Sequence, residues 1–261
     1  AIFQTGGSIG AVAGPLVANA LLASTGLPGT VWLILPGVLV ALLVLLTVRP
    51  IAVRPLALPN GLSSGWPKPA WAGLTLTILA AAAAAWILTC FNTYLTLLER
   101  DRGVAQAVAS QELALMFAVG AVGPLLVGPL SDRLGRPPVI AVCLGGSIPT
   151  MLAFLFASGL WRVPALAATG ILVSGVTTLA VLLAQERRLA PPATAAGTVQ
   201  GLGYTLAALG TWAIGALADR WGPVHALSTL AVGAALGALA ALALQRRAVG
   251  VHRGGGDGLH H

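Results

Sequence analysis

Long apolar runs separated by short polar breaks set the pattern of this chain. Eight such runs stand near 2–24, 29–48, 70–97, 106–130, 137–158, 162–184, 195–218 and 223–244. Each is about 20 residues or longer, enough for an α-helix to cross roughly 30 Å of hydrocarbon. Leu, Ala and Gly fill the runs without the period-two alternation that a membrane barrel requires. Backbone N–H and C=O groups find no partner in lipid, so helices that pair them internally are the remaining solution. The pattern predicts an all-α polytopic membrane protein with eight transmembrane helices. Segment 49–69 interrupts it with Pro50, Pro55, Pro59, Pro67 and Pro69, and with Asn60-Gly61, so it reads as a linker. The last residues run into Gly254-Gly255-Gly256 and predict a disordered tail over 248–261.

Composition agrees with a lipid solvent. The chain has 261 residues, of which 57% are hydrophobic and 8% charged, with mean hydropathy +0.91. A soluble domain needs about a quarter charged residues to cover its surface. The net charge of +7 would suggest nucleic acid in a soluble protein, but here the basic residues fall in short loops, which makes them topology signals and leaves no nucleic-acid partner. Ten Lys and Arg lie on one side (Arg49, Arg54, Lys68, Arg133, Arg136, Arg187, Arg188, Arg246, Arg247, Arg253), against four on the other (Arg100, Arg102, Arg162, Arg220). The side with ten is expected to be cytoplasmic, which places the linker and the C-terminus there. Cys90 and Cys143 sit inside apolar runs and imply neither a disulfide nor a metal set. No cofactor is expected. The chain opens on Ala1-Ile2-Phe3-Gln4, without Met or a signal-peptide pattern, and is expected to be a fragment.

An internal repeat supports that expectation. At an offset of 196 residues Gln4 meets Gln200, Gly7 meets Gly203, Gly14 meets Gly210 and Gly26 meets Gly222. Such a period suits two parallel halves related by an axis along the membrane normal, with roughly 126 residues, or four helices, upstream. On that reading 1–48 holds the last two helices of the first half, 49–69 joins the halves, and 70–247 is a six-helix second half.

The break at Gly128-Pro129-Leu130-Ser131-Asp132-Arg133-Leu134-Gly135-Arg136 carries the most specific motif. The pattern G-x-x-x-D-R-x-G-R resembles the signature loop of the major facilitator superfamily of transporters. The match holds at Gly128, Asp132, Arg133, Gly135 and Arg136, and departs at Pro137 and Pro138, where more basic residues are usual. The resemblance implies a twelve-helix major facilitator fold, a cytoplasmic loop, and a gating role in which Asp132 meets the start of the first helix near Ala1–Gln4. Gly128 and Gly135 would allow close approach and a tight turn. In the first helix, Gly10-x-x-x-Gly14 is a small-residue packing face and Pro15 a kink site. Gly10-x-x-x-Gly14-Pro15 also resembles part of the fifth-helix motif of proton-linked drug exporters, although Ala18-Asn19 stand where a further Gly-Gly is usual. Phe3-Gln4-x-Gly6-Gly7, Ala184-Gln185-Glu186 and Gly215-x-x-x-Asp219-Arg220-x-Gly222 are similar to the fosmidomycin-resistance-like branch.

Glu112 is the acid placed within an apolar run, a candidate proton carrier because lipid disfavours a charged carboxylate. Its alternative is an interfacial Glu in the first turns of a helix, beside Gln106, Ser110 and Gln111. Gln4, Asn92, Tyr94, Gln200 and Tyr204 are the candidate cavity-lining residues. Asn92-Thr93-Tyr94 is expected to unwind the third helix locally, and plain interhelical hydrogen bonding is the alternative for each of these groups. The chain shows no H-E-x-x-H, G-x-S-x-G or P-loop motif, so an enzyme is not expected. The resemblance implies a transporter in a bacterial inner membrane, a monomer when full length. It would export a drug-like or metabolite substrate by alternating access, with proton antiport. A sugar or organic-acid permease, or a truncated remnant that does not transport, are the alternatives.

Overall fold

The computed structural model describes the backbone of residues 2–47, 68–187, 189 and 191–254. Side chains at 2–9, 11, 12, 15, 30, 68–70, 192 and 247–254 lie outside the description. Ten α-helices are present among the described residues. In order they are α1 (Ile2–Thr25), α2 (Ile34–Thr47), α3 (Lys68–Asp101), α4 (Gln106–Gly120), α5 (Gly123–Leu134), α6 (Arg136–Phe156), α7 (Arg162–Glu186), α8 (Pro192–Trp221), α9 (Pro223–Ser228) and α10 (Leu230–Gly254). A 3-10 segment, Leu27–Leu33, joins α1 to α2.

Two of the eight predicted helices are broken, each beside a residue that disturbs the ladder. The run 106–130 divides at Ala121-Val122, because Pro124 lacks an N–H and crowds the carbonyl one turn earlier. The last run divides at Thr229, whose hydroxyl bonds the Ala226 carbonyl at 2.7 Å. Two boundary expectations change as well. The first of the 248–261 segment is not disordered: α10 continues through Ala248-Val249-Gly250-Val251 and stops at Gly254, where successive glycines begin. Helix α3 starts at Lys68 rather than 70. The rest of the predicted linker lies outside the described residues.

Seven stretches are long and apolar enough to cross a membrane: Leu27–Thr47, Trp71–Asp101, Gln106–Leu134, Arg136–Phe156, Gly159–Glu186, Ala193–Trp221 and Pro223–Arg246. The 24-residue α1 stands beside them. Connections between α3 and α10 are short, so consecutive spans run antiparallel. One end of the bundle holds the 134–136 turn and the α7–α8 connection. The opposite end holds 102–105, 157–161 and Gly222.

The core lies where α3, α6, α7 and α10 meet. Phe91, Ile87, Leu144, Met151, Phe154 and Leu179 are fully buried there. Helices in lipid gain little from burying apolar surface against one another, so close packing through small residues decides their contacts. A methyl built on Gly170 of α7 would lie 2.5 Å from the Met116 carbonyl oxygen, and one on Gly120 would lie 2.8 Å from Ser174 Oγ. Gly210 of α8 and Gly233 of α10 make room for the indole of Trp86. By contrast, methyls on Gly10, Gly14 and Gly128 would meet nothing within 4 Å. The Gly10-x-x-x-Gly14 face is therefore not the surface by which α1 packs on α4, and α1 runs as helix through Pro15.

Candidate functional site

Three polar constellations stand out. The first is the loop motif between α5 and α6. Gly135 closes α5 and opens α6 at φ 88°, ψ 149°, a left-handed conformation in which a Cβ is strained. That turn sends Arg136 back over α5 and α7. Arg136 bonds Glu186 at the end of α7 and lies 3.9 Å from Asp132. The Asp132 side chain is 71% exposed, so its pair with Arg136 adds at most about 1 kcal/mol. Arg133 is exposed. The loop is thus fastened to α7 through Glu186, a partner that sequence reasoning did not assign to Arg136. Ala1 and the side chains of residues 2–4, which Asp132 was expected to meet, lie outside the description. Next to this end Arg187 reaches the Leu244 carbonyl of α10 at 3.4 Å, and burial lowers its basicity from the ordinary value. Gly222 repeats the turn at the opposite end, at φ 80°, ψ 158° after Asp219-Arg220.

The second constellation is the seam of α3 and α8. Gln200 and Tyr204, one turn apart, line a narrow cleft with Ala81, Ala85, Thr177 and Gly203. Asn92 is exposed and shares the face of Ala81 and Ala85 at i+7 and i+11. Tyr94 has a different role. Its hydroxyl donates to the Thr211 carbonyl at 3.1 Å, and a methyl on Gly215 would lie 2.5 Å from that hydroxyl oxygen. Tyr94 is a strut between α3 and α8, and Gly215 is small because of it. The predicted unwinding at Asn92-Thr93-Tyr94 does not occur. Helix α3 is continuous, and the Thr93 hydroxyl bonds the Thr89 carbonyl at 2.8 Å, within its own helix. Further along the same seam a cleft of about 340 Å³ is lined by Trp71, Leu74, Thr75, Ile78, Leu79, Thr198, Leu202, Thr205 and Leu206. Thr75 and Thr205 donate to carbonyls of their own helices, so the wall is apolar and carries no charge. The Gln4 side chain lies outside the described residues.

The third constellation was missed by sequence reasoning. Glu99, near the end of α3, is fully buried and accepts from both Arg102 and Arg162. Arg102 bonds it at 2.9 Å and also bonds the Leu155 carbonyl of α6. Both guanidiniums stand over the Phe154 ring, Arg102 at 5.8 Å and Arg162 at 5.2 Å. Glu112 of α4 is within electrostatic reach of all three charges. The one available sequence signal was Glu99 three residues before Arg102, a spacing that suits a helical ion pair. No group of three or more His, Cys, Asp or Glu placed to hold a metal occurs among the described residues.

Seven apolar spans and an uncharged cleft between two helices define a polytopic membrane protein. Residues 1–211 match the Major Facilitator Superfamily, and the chain belongs to that family. Over 250 residues it is 28% identical to the "Uncharacterized MFS-type transporter YfnC" of Bacillus subtilis, with 92% of this chain and 61% of the relative covered. Over 231 residues it is 27% identical to the "Fosmidomycin resistance protein" of Escherichia coli, with 84% and 55% covered. The "Inner membrane transport protein YnfM" of Escherichia coli is 32% identical over 120 residues, 45% of this chain and 29% of the relative. The chain thus spans less than two thirds of the length of each.

Proposed function

We propose that this chain is the larger part of a twelve-helix secondary transporter that exports small drug-like or metabolite compounds by alternating access, exchanging them for protons. The observation that carries the reading is the α3–α8 seam. Its clefts are apolar, with Gln200 and Tyr204 as polar anchors and no charged side chain in either lining. Such a wall accepts apolar bodies bearing a few hydrogen-bonding groups. An organic-acid permease needs cationic partners there, and none is present in the linings. The name of the Escherichia coli relative makes fosmidomycin the first compound to test.

In this reading the halves rock about the substrate, and contacts made in one state only set the balance between states. Helix α1 packs on α4, which makes that pair a seam between halves. Asp132, Arg133 and Arg136, fastened through Glu186, gate the end we assign to the cytoplasm together with the C-terminus, by the excess of Lys and Arg there. Glu112 is the proton carrier. The protein works as a monomer in a bacterial inner membrane.

Expression of the full-length protein in a host lacking its own exporter tests this. The minimal inhibitory concentration of fosmidomycin, or of another compound in a panel of apolar drugs, rises several-fold, and Q200A/Y204A cancels the rise. Membrane-inserted protein that protects against no compound refutes export.

A further inference from the structure

A cation that loses water on burial needs a counter-charge or acceptors in its place. Arg187 has lost the water without gaining the charge. It follows the last residue of the Gly159–Glu186 span and is half-buried. Its guanidinium makes one hydrogen bond among the described residues, a long one of 3.4 Å to the Leu244 carbonyl of α10. That leaves most of its N–H donors to be met. No ion pair of Arg187 occurs among the described residues, and these include every acid of the chain except Asp257.

The acid next to it is already engaged. Glu186 bonds Arg136 at the start of α6, and Asp132 lies 3.9 Å from the same guanidinium. Even with both, Arg136 Nη1 is buried without a partner. Donors therefore exceed acceptors where α6 begins and α7 and α10 leave their spans, three helices that pack on one another. Arg133 and Arg246 are exposed at this end as well, and the α10 span closes at Arg246. The opposite end differs: Glu99 is held by Arg102 and Arg162, and Asp219 stands beside Arg220.

The location of the surplus says what supplies the missing anion. Arg187 and Arg246 stand at the ends of two spans, where hydrocarbon gives way to headgroups. The guanidinium fork matches two oxygens of one phosphate. Basic pockets between helix ends at that level take anionic headgroups. Leu182 of α7 and Leu239 and Leu242 of α10 are exposed within about two turns of these arginines and offer acyl chains an apolar path. We infer that Arg187, with Arg246 at its rim, forms a site for the phosphate of an anionic phospholipid between the ends of α7 and α10. The bound phosphate supplies the counter-charge and ties the two helix ends together beside the Asp132 loop. The site goes beyond the export reading and does not depend on it.

The test is lipid binding by the full-length protein, delipidated in a neutral detergent and titrated with phosphatidylglycerol, phosphatidylcholine or inorganic phosphate, with bound lipids counted by native mass spectrometry. Phosphatidylglycerol binds more tightly than phosphatidylcholine. R187Q and R246Q each weaken it about fivefold, the effect of one cation at a membrane surface. R220Q, at the opposite end, leaves it unchanged. Arg246 is exposed, so R246Q serves where R187Q fails to fold. Wild-type affinity in folded R187Q, or in R246Q where R187Q does not fold, overturns the site. Equal binding of the two lipids, or an equal loss in R220Q, overturns it as well. Inorganic phosphate that binds as tightly as phosphatidylglycerol gives the anion a soluble source and overturns the lipid.

Discussion

Gly170→Ala is the sharpest probe of how this bundle holds together. Its added methyl would lie 2.5 Å from the Met116 carbonyl oxygen and 3.1 Å from Met116 Cγ, where ordinary contact begins at 3.4 Å. The helices must therefore separate by about 0.9 Å at that point. Local relief is blocked: Gly120 already abuts the Gly170 carbonyl, and Gly123 abuts the Ile171 carbonyl. Overpacking of this kind costs about 1–3 kcal/mol. The better helix propensity of Ala offsets up to ~1 kcal/mol. Gly145→Ala in α6 is the matched control, because its methyl would meet nothing within 4 Å. It should be neutral or stabilising by up to ~1 kcal/mol. The two variants are expected to differ by about 2 kcal/mol in denaturant unfolding in mixed micelles, with Gly170→Ala the weaker. Equal stability, or a more stable Gly170→Ala, would refute the claim that backbone proximity between α4 and α7 limits this fold.

Other predictions follow from single contacts. Gly135→Ala puts a Cβ into a left-handed turn and should lower stability by about 1–2 kcal/mol, read as a drop in unfolding midpoint. Tyr94→Phe removes the bond to the Thr211 carbonyl and should cost about 0.5–1.5 kcal/mol; an unchanged midpoint would deny its role as a strut. Asp132→Asn should alter transport and the balance of conformations reported by site-specific labels, and no change in either would reduce the loop to a turn.

Several features were legible along the chain because they are local. The length of each apolar run places a helix, whereas the break beside Pro124 inside the run 106–130 was not read from the sequence. Gly135 could be placed in its turn from its neighbours alone. Tyr94 was harder to read. It sits two residues from Asn92, yet one side chain braces α8 while the other shares the cleft face, because a helix turns about 200° between them. The tail was read as disordered from its glycines, but the apolar stretch ahead of them lets α10 continue.

The Glu99 cluster shows where reading along the chain stops. Arg102 and Arg162 stand near helix ends and count as topology signals, and Glu99 has Arg100 and Asp101 beside it. Only packing decides that Glu99 is sealed while its neighbours are exposed, and that Arg162, 63 residues away, closes on it. The sequence by itself determined the solvent, the helices and the loop turn, since hydropathy, length and backbone restrictions act over a few residues. The tertiary structure alone decided which charges are buried together and which glycines touch, because those depend on distances between helices that no periodicity encodes.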